Sequence, residues 1–373
     1  MVRAGLGSAW QCVFANDFDH KKSATYRLNW GGEGFYEGDV RDAEPHLPVS
    51  APDLVWASFP CQDLSLAGGG AGLKGNRSGT FWPFWEHMET LKRTNRAPKL
   101  IALENVGGTL SSHEGKDFVA IVDAFQKLGY AVGAMMIDAE LFVPQSRPRL
   151  FFIGIQDAQS IPTHMVGLVP QDEWVPSALK RAYIQLPEKL KDNWLWWQMA
   201  APAKRNVRFA DLIIEQPVDV EWHAPQDTQN LLNMMAPLHR KKVEQAKLAK
   251  TRKVGTIYRR TRKAEDGEGV QRAEVRFDDV AGCLRTPAGG SSRQVLLIVE
   301  GERVRSRLIS ARETARLMGL PDTYVLPKRY NEAYHLTGDG VVVNVVKHLS
   351  ENILLPLVSS EEPRNSKQRR KAA

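Results

Sequence analysis

Between residues 13 and 155 short apolar runs alternate with amphipathic stretches. Cys12-Val13-Phe14-Ala15, Leu54-Val55-Trp56-Ala57, Leu100-Ile101-Ala102-Leu103 and Leu150-Phe151-Phe152-Ile153 have the length and side chains of buried strands. Over 116–128, Phe118, Ile121, Val122, Phe125 and Leu128 repeat at the helical period until Gly129 stops the helix. Strands alternating with helices predict an α/β fold, a doubly wound and mainly parallel sheet with helices on both faces. Past Gly154 the alternation stops, and a stretch rich in Pro, Trp and basic residues follows, including Trp194-Leu195-Trp196-Trp197. That change predicts a second, smaller domain. Helical patterning returns over 311–318 and 341–355, and the residues from 359 onward, with Arg369-Arg370-Lys371, read as a disordered basic tail. The expected divisions are 1–155, 156–305, 306–358 and 359–373.

Composition narrows the class. With 43% hydrophobic residues in 373, the chain can bury a core in each domain, which excludes a disordered or fibrous protein. No run approaches the roughly 20 apolar residues of a membrane span, and none near Met1 has the length of a signal-peptide core. Cys12, Cys61 and Cys283 are too far apart for a metal-binding pair and odd in number, so free thiols and a cytoplasmic location are expected. The formal net charge of +7 is concentrated: residues 240–263 hold eleven Lys or Arg against one Glu. Such a stripe suits a phosphate backbone, with a solvated helix face as the plainer alternative.

In open α/β sheets ligands bind beyond the carboxyl ends of the strands. Two reactive residues stand there: Cys61, in Phe59-Pro60-Cys61-Gln62, and Glu104, in Glu104-Asn105-Val106. A thiol and a carboxyl in one cleft suit methylation at C5 of cytosine, an unactivated carbon. Addition of a thiolate at C6, with a carboxylic acid at N3 drawing charge, makes C5 nucleophilic.

With these residues the chain resembles the DNA (cytosine-5) methyltransferases. Pro60-Cys61-Gln62 is similar to the family's catalytic motif, Glu104-Asn105-Val106 to its acid motif, and Gln145-Ser146-Arg147-Pro148-Arg149 to its Gln-x-Arg-x-Arg motif. The run from Arg312 through Gly319 to Asp322 resembles the motif that organises target recognition, and Gly338-Asp339-Gly340-Val341 the closing motif. The resemblance implies an S-adenosylmethionine-dependent, Rossmann-like catalytic domain over 1–155 and a target-recognition domain over 156–305. Residues 306–358 would then return to the catalytic domain.

It further implies Cys61, Glu104, Arg147 and Arg149 as catalytic residues. Asp17, Phe18, Asp39, Val40, Pro60, Asp339 and Val341 would hold the donor, S-adenosyl-L-methionine. Ser65, Arg285, Gly289, Gly290 and Arg293 would contact double-stranded DNA, and no metal is implied. The glycine-rich stretch 64–79 reads as a lid closing over a flipped-out base. The Trp194, Trp196, Trp197 cluster is expected in the core of the smaller domain. One departure is plain: the family's first motif, Phe-x-Gly-x-Gly after the first strand, is absent. Gly5 and Gly7 fall in the first helix instead, so an upstream start and a missing central strand are expected.

A monomer is expected, with a restriction endonuclease of the same site as its functional partner. Two rival readings remain, a catalytically inactive DNA-binding relative and an RNA cytosine-5 methyltransferase.

Overall fold

The computed structural model describes residues 1–59, 80–263, 267–286 and 293–359. The chain opens with α1 (Val2–Leu6), β1 (Ala15–Asp17), α2 (His20–Trp30), β2 (Phe35–Glu37), β3 (Leu54–Ser58), α3 (Phe81–Arg93), β4 (Leu100–Asn105), α4 (Lys116–Lys127), β5 (Ala131–Asp138) and β6 (Pro148–Ile155). The alternation seen in sequence is therefore present, with β1 starting at Ala15, where the apolar run from Cys12 was expected to end.

The principal sheet has the order β3-β4-β6-β5. Strands β3 and β4 are parallel, as expected, but β6 is antiparallel to both its neighbours. The reason is local: only residues 139–147 separate β5 from β6, room for a turn but not for the helical crossover that parallel strands need. All six residues of β4 are buried, so both faces of the sheet are covered. On one face α4 lays Phe118 against Phe152, and Phe125 crosses Gly154 so closely that a Cβ there would lie 2.5 Å from its ring. On the other, Phe151 meets Trp56 and lines a small crevice with Val341, Val342 and Val345. Strands β1 and β2 pair in parallel with each other alone, and among the described residues no strand joins β1 to β3.

Next come β7 (Val166–Gly167), α5 (Ser177–Ile184), α6 (Glu188–Lys191) and β8 (Trp196–Trp197). The tryptophans belong to the first core, not to a second domain: Trp194 bridges to Val132, and the Trp197 indole donates to the Ile153 carbonyl at 3.2 Å. Gly133 permits this, since a Cβ there would sit 2.1 Å from the Leu195 carbonyl oxygen.

The second core forms later, from α7 (Pro225–Asn233), α8 (Pro237–Leu248) and the antiparallel sheet of β9 (Lys253–Lys263), β10 (Gly269–Arg276), β11 (Val295–Glu300) and β12 (Arg303–Leu308), ordered β10-β9-β11-β12. Strand period decides its packing. Ile257, Val275, Val295, Leu297 and Val299 face α7 and α8 with Leu231, Met235 and Val243, whereas Leu296 and Ile298 point the other way into the first core.

The chain closes with α9 (Ala311–Leu317), α10 (Tyr330–Asp339), α11 (Val343–Leu349) and α12 (Leu355–Ser359). Ser310 and Glu313 cap α9 reciprocally, and Glu313 forms an ion pair with Arg307 in which neither side chain is exposed. The stretch from Tyr330 to Ser359 has the length and apolarity of a membrane span, but Val345, Val346, Leu349, Ile353, Leu354 and Leu357 are buried in the first core, which accounts for that apolarity. Gly5 lies in the crossing of α1 with α11, where a Cβ would meet Val346 at 2.5 Å.

Candidate active site

Strand β4 ends in Glu104-Asn105, and its parallel register places Ser58, the last residue of β3, beside Glu104. The Asn105 side chain donates to the Phe59 carbonyl at 3.3 Å while its own oxygen accepts from the Val106 amide at 2.8 Å. This brings the segment leading to Pro60-Cys61 alongside the carboxyl. Pro60, Cys61, Ser65 and the stretch 64–79 lie outside the described residues, as do Gly289 and Gly290.

Glu104 is 7% exposed, and its described partner is Arg149, whose Nε lies 3.1 Å from Oε1. Antiparallel pairing of β4 with β6 sets this contact, because Glu104 pairs with Phe151 and Arg149 lies two residues earlier on the strand. Arg147, two residues before that, is 1% exposed and is used differently. Its guanidinium donates to the carbonyls of Leu284, Gly338 and Gly340 at 2.7–2.8 Å and to the Cys283 sulfur at 3.3 Å. Arg147 thereby clasps β6, the 283–286 segment and the end of α10 together. Gln145 stitches the same junction, donating to the Leu317 carbonyl at 2.8 Å and accepting from the Leu284 amide at 3.1 Å.

Cys283 is a residue the sequence reading left aside. Burial pushes its thiol up, but the guanidinium groups of Arg147, Arg149 and Arg285 outweigh burial and hold it below the ordinary thiol value. As a lone cysteine between two strands it carried no sequence signal, and only the fold brings it to the arginines.

The expected donor residues sit at the carboxyl ends of β1 and β2. Asn16 ties the two strand ends together, donating to the carbonyls of Tyr36 and Gly38 at 3.1 and 2.9 Å. Asp17 ends β1, and burial raises its carboxyl above the usual range despite the Asp19 amide and Lys22. Phe18 follows and is 75% exposed. Asp39 accepts from the Arg41 amide at 2.9 Å and forms an ion pair with that side chain, while the next carbonyl, of Val40, meets His87. From the other end of the chain, Asp339 reaches Lys22 at 2.7 Å and accepts from the Thr286 hydroxyl, and Val341 lines the crevice with Arg149. Residues more than 300 positions apart in sequence thus meet at one strand end. Of the expected DNA contacts, Arg285 is exposed, whereas Arg293 donates to Asn331 at 2.5 Å and lies over the Tyr330 ring.

A buried carboxyl, two arginines and the lead-in to a cysteine at one strand end suit addition to an electron-poor ring. The sequence model of C-5 cytosine-specific DNA methylases matches residues 2–355. The chain belongs to that family. It is similar to the Type II methyltransferase M.BanI of Aneurinibacillus aneurinilyticus, 26% identical over 394 residues, covering 92% of this chain and 89% of that protein. It is also similar to M.HhaI of Haemophilus parahaemolyticus, 24% identical, with 92% and 87% covered. The fold matches that of a Dnmt2 methyltransferase from S. pombe, with a TM-score of 0.56 at 16% identity, covering 94% of this chain and 92% of that one. A Spodoptera frugiperda DNMT2 mutant gives 0.56 at 14% identity, with 96% of each chain covered.

Proposed function

We propose that this member of the family methylates C5 of a flipped-out cytosine in duplex DNA, with Cys61 as nucleophile and Glu104 as acid. The observation that carries the reading is Glu104, buried at the end of β4 beside the segment that leads into Pro60-Cys61, with Arg149 on one oxygen. The Cys61 thiolate adds to C6, forming the C–S bond and sending the C5–C6 electron pair into the ring. Glu104 hydrogen-bonds N3 and stabilises that charge, leaving C5 nucleophilic. Once C5 is methylated, loss of the C5 proton returns electrons to the ring and expels the thiolate. Arg149 orients Glu104, and Arg147 holds the 283–286 segment and the end of α10 in place around it.

S-adenosylmethionine, when bound, supplies the electrophilic methyl group. At the ends of β1 and β2 the Asp17 carboxyl would take the ribose hydroxyls, and the exposed Phe18 ring would offer a face to adenine. Asp39 and Val40 would close over the adenine edge. The chain would act as a monomer within the cytoplasm, beside a restriction endonuclease of the same site.

Duplex DNA carrying 5-fluorocytosine tests the reading, because fluorine at C5 blocks the final elimination. Wild-type protein should form an adduct stable to denaturing electrophoresis. Cys61→Ala should form none and transfer no labelled methyl, and an adduct surviving in that variant would remove Cys61 from its role.

A further inference from the structure

Strand β9 is longer than the sheet it belongs to. Residues 253–257 pair with β11, but from Tyr258 to Lys263 the strand pairs with β10 alone, so 258–263 and 269–274 form a two-stranded ribbon projecting past the sheet. The antiparallel register sorts its side chains by face. Ile257, Ala273 and Val275 lie on the α8 side, in the second core. Tyr258, Arg260 and Arg262 lie on the opposite side, with their cross-strand partners Glu274, Arg272 and Val270. That second face looks toward the candidate active site, because the Tyr258 hydroxyl donates to the Cys283 carbonyl and Cys283 contacts Arg147.

Three arginines thus share one narrow face with a single glutamate. Arg260 and Arg272 are directly opposite each other, the placement in which like charges cost stability. Glu274 bonds Arg262 and sits 3.6 Å from Arg260, while Arg272 has no acidic partner among the described residues. Arg260 and Arg262 remain about half exposed, at 46% and 53%. Elsewhere in the basic stretch the charge is offset differently: Lys247 pairs with Glu244 and Glu302, and Arg252 with Glu215 and Glu300. A polyanion on the face that leads to the reaction centre would offset this like-charge pair.

We propose that this face of the ribbon, through Arg260, Arg262 and Arg272, grips the phosphate backbone of duplex DNA beside the target base, and that the exposed lysines of α8 and its C-terminal end do not. The inference rests on the DNA reading above. It divides the basic stretch into a gripping part and a merely solvated part, and predicts contacts blind to base sequence.

The test is the salt dependence of binding to a short fluorescent duplex of mixed sequence, read by anisotropy. Each lost phosphate contact lowers the slope of log K against log salt by about 0.9, so Arg260→Gln with Arg272→Gln should lower it by roughly 1.8. Lys241→Gln with Lys250→Gln removes equal charge and should leave the slope unchanged, and Arg272→Lys should retain it. Because the ribbon variant relieves repulsion, its thermal midpoint should not fall, which separates lost contact from lost fold. An unchanged slope in the ribbon variant, or an equal loss in the lysine variant, overturns the proposal. So does tighter, equally arginine-dependent binding to a structured RNA. Methyl transfer by the wild-type chain is assayed in parallel: transfer with an unchanged ribbon slope sinks this inference alone, and a lowered slope without transfer upholds it while sinking the catalytic reading.

Discussion

Two carboxylate–arginine pairs in this molecule use the same chemistry to opposite ends. Glu313 and Arg307 are wholly buried, and all the acceptor capacity is used: Oε1 accepts from the Ile214 amide and Arg307 Nη2, and Oε2 from the Ser310 amide and Arg307 Nη1, all at 2.7–2.8 Å. Arg307 further donates to the carbonyls of Ile214 and Leu308. The Glu313 carboxylate thus has no acceptor left for a ligand, although Arg307 Nε stays without a partner, and the pair joins α9, β12 and the segment at 214 into one unit. Glu104 and Arg149 keep 9% and 15% of their side chains exposed, and among the described residues Arg149 Nε meets one Glu104 oxygen at 3.1 Å. A saturated pair builds the fold, whereas a pair with an oxygen in reserve can serve chemistry. Burial alone does not separate them, since Glu104 is itself buried; the count of donors among the described residues does.

This contrast can be broken experimentally. The largest effect on stability is expected from Glu313→Ala, which strands Arg307 in the interior and should cost about 3–5 kcal/mol in a denaturant titration. A loss within the range of surface substitutions would show that the closed pair is not structural. Glu104→Gln should do the reverse, lowering kcat by about 10²–10⁴-fold, the usual worth of a positioned acid, while leaving the unfolding midpoint nearly in place. Equal losses of rate and stability would merge the two pairs into one class. The smallest effect concerns Asp17. Burial raises its folded-state carboxyl above the unfolded value, so its ionised form weakens the fold at neutral pH. Asp17→Asn should therefore raise the thermal midpoint slightly near neutrality, with the gain fading as pH falls through the carboxylate range and the wild-type group protonates. The same variant should weaken S-adenosylmethionine binding in calorimetry, and undiminished binding would remove Asp17 from the donor site.

Legibility followed the range of the interactions. Helix α4 was readable because its apolar period and stopping glycine are local, and the amphipathic α9 likewise. Antiparallel β6 was not, because a strand's own residues do not state the direction of its neighbour. The tryptophans at 194–197 were misassigned because apolarity says only that a segment is buried, not against which core. Cys283 escaped notice for a related reason: a thiol's environment is set by arginines 134 and 136 positions away.

By itself the sequence determined the α/β alternation, the ordered motifs around Cys61 and Glu104, and through them the family, since all are carried by residues close together along the chain. Only the tertiary structure decided that Arg147 clasps carbonyls while Arg149 meets Glu104, that Asp17 and Asp339 share one strand end, and that the basic stretch splits between a helix and a ribbon face. These depend on register and crossing geometry, where a shift of one residue turns a side chain to the opposite face of its strand.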